Sequence, residues 1–571
     1  MKVKLQNENF KNNYVMNLLK ARGIENIEEF LSPSEKNLQS FSDLNNINEA
    51  ITLFDILVYK GNKPIGIIVD SDCDGYCSAA IMYQYIRNLL PNKQIDYYIH
   101  SEKQHGLEDM WEILAEKNYD LLIVTDAGSN DSKYACNISY PILVLDHHIV
   151  DEAPYAENLN IVNNNLSLNY KNKSLSGGGV VYQFCRALDS YYKVNYADFY
   201  IDLAALAICG DMMSGLEVEN QYIWKKGFNS INNLFLKELI DKQKYSMSGE
   251  INPTTIAFYI VPFINAMVRV GTMDEKDRMF RAFINGNELV LSGKRGAKGQ
   301  FEKISVESAR ECSNAKARQS RLIDNIEANI EMKIFKEELL NNKILFIQLD
   351  ENYDFPSELN GLLAMRLVTK YNRPVMVGRL NDEGFFRGSA RAKKTESIQS
   401  FKKFLENTNM FEYASGHDFA FGYSLYYKNL DKFISYANEN LNLEDFKDNF
   451  YIVNFMRSAN DNDIKDMVKD VSKYKDIWSQ ECSEPLIYIH DINITNNEIQ
   501  IIGANKDTLK FSKNDITYIK FHAKDLINEL INLNNIKLNI VGRGNLNYWN
   551  GNTIPQIFID DYEVIDNTYE F

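Results

Sequence analysis

The stretch IGIIVDSDCDG at residues 65–75 decides how this chain is read. An apolar, largely β-branched run enters Asp70-Ser71-Asp72-Cys73-Asp74-Gly75 and gives way to a helical stretch over 76–90. That succession is the pattern of a buried parallel strand turning into a helix. Two runs of the same form follow a helical stretch over 108–118: LLIVTD, ending at Asp126, and PILVLD, ending at Asp146. In an open α/β sheet the carboxyl ends of parallel strands share one rim, where ligands bind. Three acidic strand ends on one rim predict a charged site there.

His147 and His148 follow Asp146 directly, and Asp211 stands in the helical stretch AICGDMMSG. A lone aspartate at a strand end is ordinarily a helix cap or turn residue. Several on one rim repel one another unless cations neutralise them. Carboxylates with one or two imidazoles suit Mn²⁺ or Mg²⁺, and no thiolate pair is nearby to favour a structural zinc. More acids than one ion requires point to two ions sharing a bridging carboxylate, the usual device for in-line attack on a phosphodiester.

The rest of the composition narrows the class. A chain of 571 residues, 45% hydrophobic and 25% charged with only 11 Pro, is globular and built of several domains. Its net charge of −16 argues against coating nucleic acid through overall charge, though not against a local basic groove. Seven Cys without CxxC pairs fit reduced thiols in the cytoplasm. The N-terminus has no signal-like apolar stretch and no run of about 18 apolar residues stands out, so neither secretion nor a membrane role is expected.

The patterns place a helical lead-in over 1–40, with one helical stretch across 13–31, and an α/β domain over 41–299. A long connecting helix is expected over 300–342 and a smaller α/β domain over 343–450 (KILFIQL, a helix over 357–371, PVMVGRL, FFRGSARA). A connector over 451–483 leads to short strands over 484–571 that suggest a small β-barrel.

The ordered set VDSDCDG, TDAGSND, LDHH and CGDMM resembles the DHH phosphoesterase superfamily, and within it the RecJ-type single-strand-specific exonucleases. LLKARGIENIEEFLSPS (18–34), LSGGGVVYQF (175–184), VPFINAMVR (261–269), SGHDFAFG (415–422) and GRGNLNYWNGNTIPQIFIDDYEV (542–564) are similar to further segments of that family, in its order. The resemblance implies a parallel-sheet DHH domain, a DHH-associated domain beyond the long helix, and a C-terminal OB-like β-barrel. It implies metal ligands at Asp70, Asp72, Asp74, Asp126, His147 and Asp211, with Asp126 as the bridge and His148 beside the reacting phosphate. Two Mn²⁺ (or Mg²⁺) ions are the implied cofactors. The implied activity is 5′→3′ hydrolysis of single-stranded DNA to 5′-mononucleotides, in recombination, repair and replication. A monomer, served by a helicase or a single-strand-binding protein, is the expected state.

Substrate residues follow from chemistry and resemblance together. Arg269, with Asn265, is the candidate phosphate donor of the first domain, because a guanidinium fork suits non-bridging oxygens. In the second domain Arg387, Gly388, Ser389 and Arg391 combine charge with little bulk, and Gly416 and His417 add a close approach and a donor. Eight cations against three glutamates over 293–321, and eight against two acids over 366–394, are read as walls of a phosphate-tracking channel. Tyr548 and Trp549 are barrel aromatics to which no base contact is assigned.

The chain departs from the family in three places. YYIHSEKQHGL (97–107) stands where a Pro and an Arg meet the substrate's 5′ end, leaving Lys103 or His105 as substitutes. Ser415 replaces a glycine before Gly416, and WSQECSEP (478–485) replaces a Phe-Gly-rich connector. Two rival readings are an oligoribonucleotide or cyclic-dinucleotide phosphodiesterase, which lacks the trailing OB domain, and a replication scaffold without metal ligands.

Overall fold

The aspartate-terminated runs form the strands Ile65–Val69, Leu121–Thr125 and Ile142–Asp146, and every residue in them is buried. The computed structural model describes residues 1–565 apart from Lys103, Asp151, Glu152, Lys298, Glu351, Asn352, Glu396, Ser397, Asp448, Ile531, Asn532, Asn550 and Gly551. Five parallel strands lie in the order Ile95–Ile99, Ile65–Val69, Leu121–Thr125, Ile142–Asp146, Leu159–Asn163. From Ile65–Val69 the chain moves first to one neighbour and then to the other, so the strand order reverses between Asp70 and Asp126. Such a reversal opens a crevice at the carboxyl ends of the strands. Helices Cys73–Leu89 and Gly177–Tyr192 pack on this sheet, and Ile201–Gly210 packs on both helices, through buried residues such as Ile81, Phe184 and Leu206.

These elements belong to one of two compact units, Glu28–Ser320 with Asp476–Ser483. The other unit comprises Met1–Ile27, Arg321–Lys475 and the chain from Glu484. Helix Ile304–Lys336 runs through the boundary. Neither unit is continuous in sequence. The stretch expected as a connector over 451–483 is divided: residues 476–483 belong with the first unit, and their backbone is tied there by Gly215 N donating to the Gln480 carbonyl.

The second unit holds a five-stranded sheet in the order Phe411–His417, Ala420–Tyr426, Phe385–Arg391, Val375–Leu380, Leu345–Gln348. Its last two strands are parallel and the others antiparallel. The same unit holds a mixed sheet of seven strands formed from residues 455–565, with helix Ile464–Ser472 against its long strand Asn535–Trp549.

Three local differences have simple causes. The lead-in expected over 13–31 is two helices, Tyr14–Ala21 and Ile27–Leu31, because Gly23 takes a left-handed φ of 88°. Residues Lys2–Leu5, placed from sequence in the helical lead-in, instead form a parallel strand with Phe450–Val453. One 18-residue stretch, Pro253–Val270, does reach a mean hydropathy of 1.3. It is two helices meeting at Ile260–Val261, and it turns Ile256, Ile264 and Met267 into the core.

Candidate metal centre

Asp72 caps helix Cys73–Leu89, its Oδ1 accepting from Gly75 N at 3.0 Å. Asp74, one turn in, accepts from Gly177 N and Gly178 N at 2.8 Å each, one on either oxygen. The start of the helix Gly177–Tyr192 is thereby pressed against the carboxylates. A Cβ on Gly177 would stand 2.2 Å from Asp126 Oδ1, and one on Gly178 would stand 2.5 Å from the Ala207 Cβ. Only glycines allow that approach.

Asp126 follows its strand in a left-handed conformation, φ 65°, with its amide bonded to the Leu145 carbonyl at 2.8 Å. Left-handed backbone is costly for a residue with a side chain and is typical of functional positions. Here it turns the carboxylate into the middle of the rim. His147 Nε2 lies 3.3 Å from Asp126 Oδ1, 3.4 Å from Asp211 Oδ2 and 4.0 Å from Asp74 Oδ2. Asp211 is brought there as the C-terminal cap of helix Ile201–Gly210. Three groups have ligand atoms within 4.8 Å of one another: Asp70-Asp72-Asp126, Asp74-His147-Asp211 and Asp126-His147-His148. Asp126 belongs to two of them.

The electrostatics of the rim favour bound cations. Burial, followed by repulsion from Asp74 and Asp72, pushes Asp211 up to about 8. Burial and the neighbouring acids hold Asp126 well above the usual carboxylate range, and burial likewise raises Asp70 and Asp74. Burial lowers His147, leaving a neutral ring with a free electron pair. Asp126 Oδ1 is buried without a hydrogen-bond donor, a state that costs free energy unless something positive satisfies it. Oxygen-rich donors with one imidazole fit Mn²⁺ or Mg²⁺.

Asp146 does a different job. Its oxygens accept from the amides of Ser129, His147 and His148, and His148 Nδ1 lies 2.8 Å from Oδ1. Burial works to raise it, but His148 and these bonds outweigh that and hold it far below the usual range. Burial alone would depress His148; the bond to Asp146 and the surrounding acids lift it to about 9. His148 is a fixed cation whose Nε2 edge is left on the exposed side.

Sequence reasoning missed the opposite wall. His100, just past the Ile95–Ile99 strand, is buried with Nδ1 2.8 Å from Asp109 Oδ1 and Nε2 4.0 Å from Asp70 Oδ1. His105 Nδ1 lies 2.6 Å from Asp70 Oδ2, and Gly106 N donates to Oδ1 at 3.2 Å. The expectation that His105 meets a substrate end therefore changes: its ring is turned to Asp70. Lys103 lies outside the described residues. The signal in the sequence was two histidines five apart beyond a strand end, at the place where the family pattern breaks.

Asn265 Oδ1 accepts from Cys73 N at 3.1 Å, so it steadies the DSDCDG turn. Arg269, four residues on, shares its helix face.

In the second unit the ladder aligns Arg391, Ala420 and His417, then Ser389, Gly422 and Ser415, then Arg387, Ser424 and Tyr413. Directly opposed residues point to the same side, so Arg387, Ser389, Arg391 and His417 share one face over a floor of small residues. Gly388 and Gly416 lie on the other face, toward Phe421 and Tyr423. A Cβ at Gly388 would be 2.0 Å from the Val377 carbonyl, and Gly416 has φ 129°. Strand packing by itself requires glycine at both positions.

Several cations of the two basic segments are paired within the protein. Arg366 bonds Asp324 and Glu327, and Lys370 bonds Glu331. Arg373 and Arg379 bind carbonyls, Arg387 faces Glu383 and Glu412, Arg310 faces Glu302, and Arg318 faces Glu275. Lys298 and the side chains of Tyr548 and Trp549 lie outside the described residues.

Parallel sheet, switch-point crevice and carboxylate–imidazole rim together define a phosphoesterase of the DHH class. Residues 64–209 match the model of the DHH family, N-terminal domain, and residues 464–561 match that of the RecJ OB domain. An SPbeta prophage-derived protein of Bacillus subtilis, named as the single-strand DNA-specific exonuclease YorK, is 34% identical over 96% of this chain and 95% of its own length. The single-stranded-DNA-specific exonuclease RecJ of B. subtilis is 24% identical over 96% of this chain and 68% of its own. Thermus thermophilus RecJ in complex with Mn²⁺ shares the fold at a TM-score of 0.70 and 19% identity, covering 98% of this chain and 79% of that one. The chain belongs to the RecJ family of single-strand DNA-specific exonucleases.

Proposed function

We propose that the protein is a metal-dependent exonuclease that hydrolyses single-stranded DNA at the 65–211 rim. The observation that carries this reading is Asp126: central, left-handed, buried and without a donor on Oδ1, between two groups of ligand atoms. Asp70, Asp72, Asp74, Asp126, His147 and Asp211 would hold two divalent ions, Mn²⁺ or Mg²⁺. Bound there, such ions neutralise the charge of a phosphodiester under attack and supply a nucleophile at neutral pH. The relatives' names support the substrate, and the Mn²⁺ complex of T. thermophilus RecJ supports the ion.

The chain's own residues then have distinct tasks. Gly177 and Gly178 lock Asp74, while His105 and Gly106 lock Asp70, so the carboxylates meet a cation without rearranging. Asp146 fixes His148 by its Nδ1, presenting the opposite nitrogen to a phosphate oxygen. Arg269 supplies a guanidinium from the helix that steadies the DSDCDG turn. Arg391, Ser389 and His417 offer a polar sheet face to the strand's backbone. We assign 5′→3′ polarity, release of 5′-mononucleotides and action as a monomer beside a helicase or single-strand-binding protein.

Digestion of 5′- and 3′-labelled single strands, with and without a 5′ phosphate, in Mn²⁺ and in Mg²⁺ tests this. The 5′ label is expected to leave as a mononucleotide at once and the 3′-labelled strand to shorten gradually, with duplex untouched. Activity confined to dinucleotides would overturn the reading.

A further inference from the structure

After helix Met273–Ile284 the chain forms a two-stranded hairpin, Leu289–Leu291 paired with Phe301–Lys303. The register sets Leu289 opposite Lys303, Val290 opposite Glu302 and Leu291 opposite Phe301. Opposed residues share a face, so Leu289, Leu291, Phe301 and Lys303 form one side and Val290 with Glu302 the other. The inner side is anchored: Val290 packs on the main core and Glu302 binds Arg310 at 2.6 Å. The outer side is inverted from the usual rule for a surface strand. Leu289 is 65% exposed, Leu291 62% and Phe301 66%. Large apolar side chains gathered on an exposed face mark a contact surface.

The charge of the same element says what it contacts. Residues 289–303 carry four cations and one acid, in a chain of net charge −16. The acid is bound to Arg310, whereas Lys294, Arg295 and Lys303 are exposed. A flat apolar face edged by cations matches single-stranded nucleic acid, whose bases stack on aromatic and apolar groups while its phosphates meet Lys and Arg.

We infer that the 289–303 hairpin is a strand-holding surface, with bases lying on Leu289, Leu291 and Phe301 and phosphates meeting Lys294, Arg295 and Lys303. This rests on the exonuclease reading for its choice of polymer and adds a binding element outside the metal rim.

Fluorescence anisotropy of the full chain with a labelled 20-mer of thymidylate, in EDTA to prevent cleavage, measures strand affinity. The double variant Leu291→Ser with Phe301→Ser is expected to bind about tenfold more weakly, at unchanged melting temperature. Lys294→Ala with Arg295→Ala is expected to flatten the dependence of log affinity on log salt by about 1.4, the share of two phosphate contacts on a single strand. Unchanged affinity and unchanged salt slope would overturn the inference. So would a change confined to oligomeric state in gel filtration, which would assign the face to a second copy of the chain. Hydrolysis of the strand by unaltered protein in Mn²⁺ is scored separately: its failure sinks the exonuclease reading, whereas hydrolysis with indifferent hairpin variants sinks only the hairpin.

Discussion

Asp74 and Asp126 show two ways of making a carboxylate ready for a cation. Asp74 is held by two amides, which fix its plane but leave the remaining lone pairs outward. Asp126 is aimed by its left-handed backbone and keeps one oxygen without a donor. Replacing Asp126 by Asn keeps the shape and removes the charge that two ions would share. Hydrolysis is expected to fall by ~10³-fold, equivalent to several kcal/mol of lost charge stabilisation, with melting temperature maintained. Steady-state assays and thermal unfolding check the pair. His105→Ala removes one of two clamps on Asp70, and Mn²⁺ affinity measured by calorimetry is expected to drop by about tenfold, the scale of an outer partner of a ligand. An unaltered Mn²⁺ isotherm would show that Asp70 needs no such clamp.

At the scale of elements, the rim depends on how closely one helix start approaches two strand ends. Gly177→Ala places a methyl group 2.2 Å from Asp126 Oδ1, so either the helix or the carboxylate must move. Metal affinity is expected to fall by roughly 10- to 100-fold, read by Mn²⁺ titration, with the secondary structure retained in circular dichroism. The strand ends were legible in the sequence because wholly buried parallel strands write uninterrupted β-branched runs, and the acid that ends each run then marks the rim. The SGGG start was visible as a motif, but the collision that makes it glycine exists only once Asp126 is beside it. His100, and the tie of His105 to Asp70, were illegible for a related reason: both sit on a loop without periodicity, and their partner Asp70 is some thirty residues away. Counting charge along the sequence also misled, since Arg366 and Lys370 look unpaired until helix Ile304–Lys336 brings Asp324, Glu327 and Glu331 alongside.

For the molecule as a whole, the crowded acids couple stability to pH and to metal. Asp211, pushed up to about 8, and Asp126, held well above the usual carboxylate range, retain protons in the folded state that the unfolded chain releases near the ordinary carboxylate value. Between those values the folded state binds more protons, so the stability of metal-free protein falls as pH rises. Divalent ions displace the same protons, so their affinity climbs over that window. Melting curves from pH 5 to pH 8 are expected to slope downward without metal, and the increment given by saturating Mn²⁺ is expected to widen. A flat metal-free profile would mean that the rim acids ionise freely.

The pairing of Lys2–Leu5 with Phe450–Val453 imposes an order on biosynthesis. Lys2–Leu5 has no partner strand until about 450 more residues have been made, a wait of ~20–90 s at ordinary elongation rates. Through that interval the 65–211 rim has all its residues outside the tunnel and is free to assemble. Lys2–Leu5, its ladder hydrogen bonds unmade until then, is stitched in late: the 65–211 rim can mature first, and this strand joins the other unit only after Phe450–Val453 has emerged.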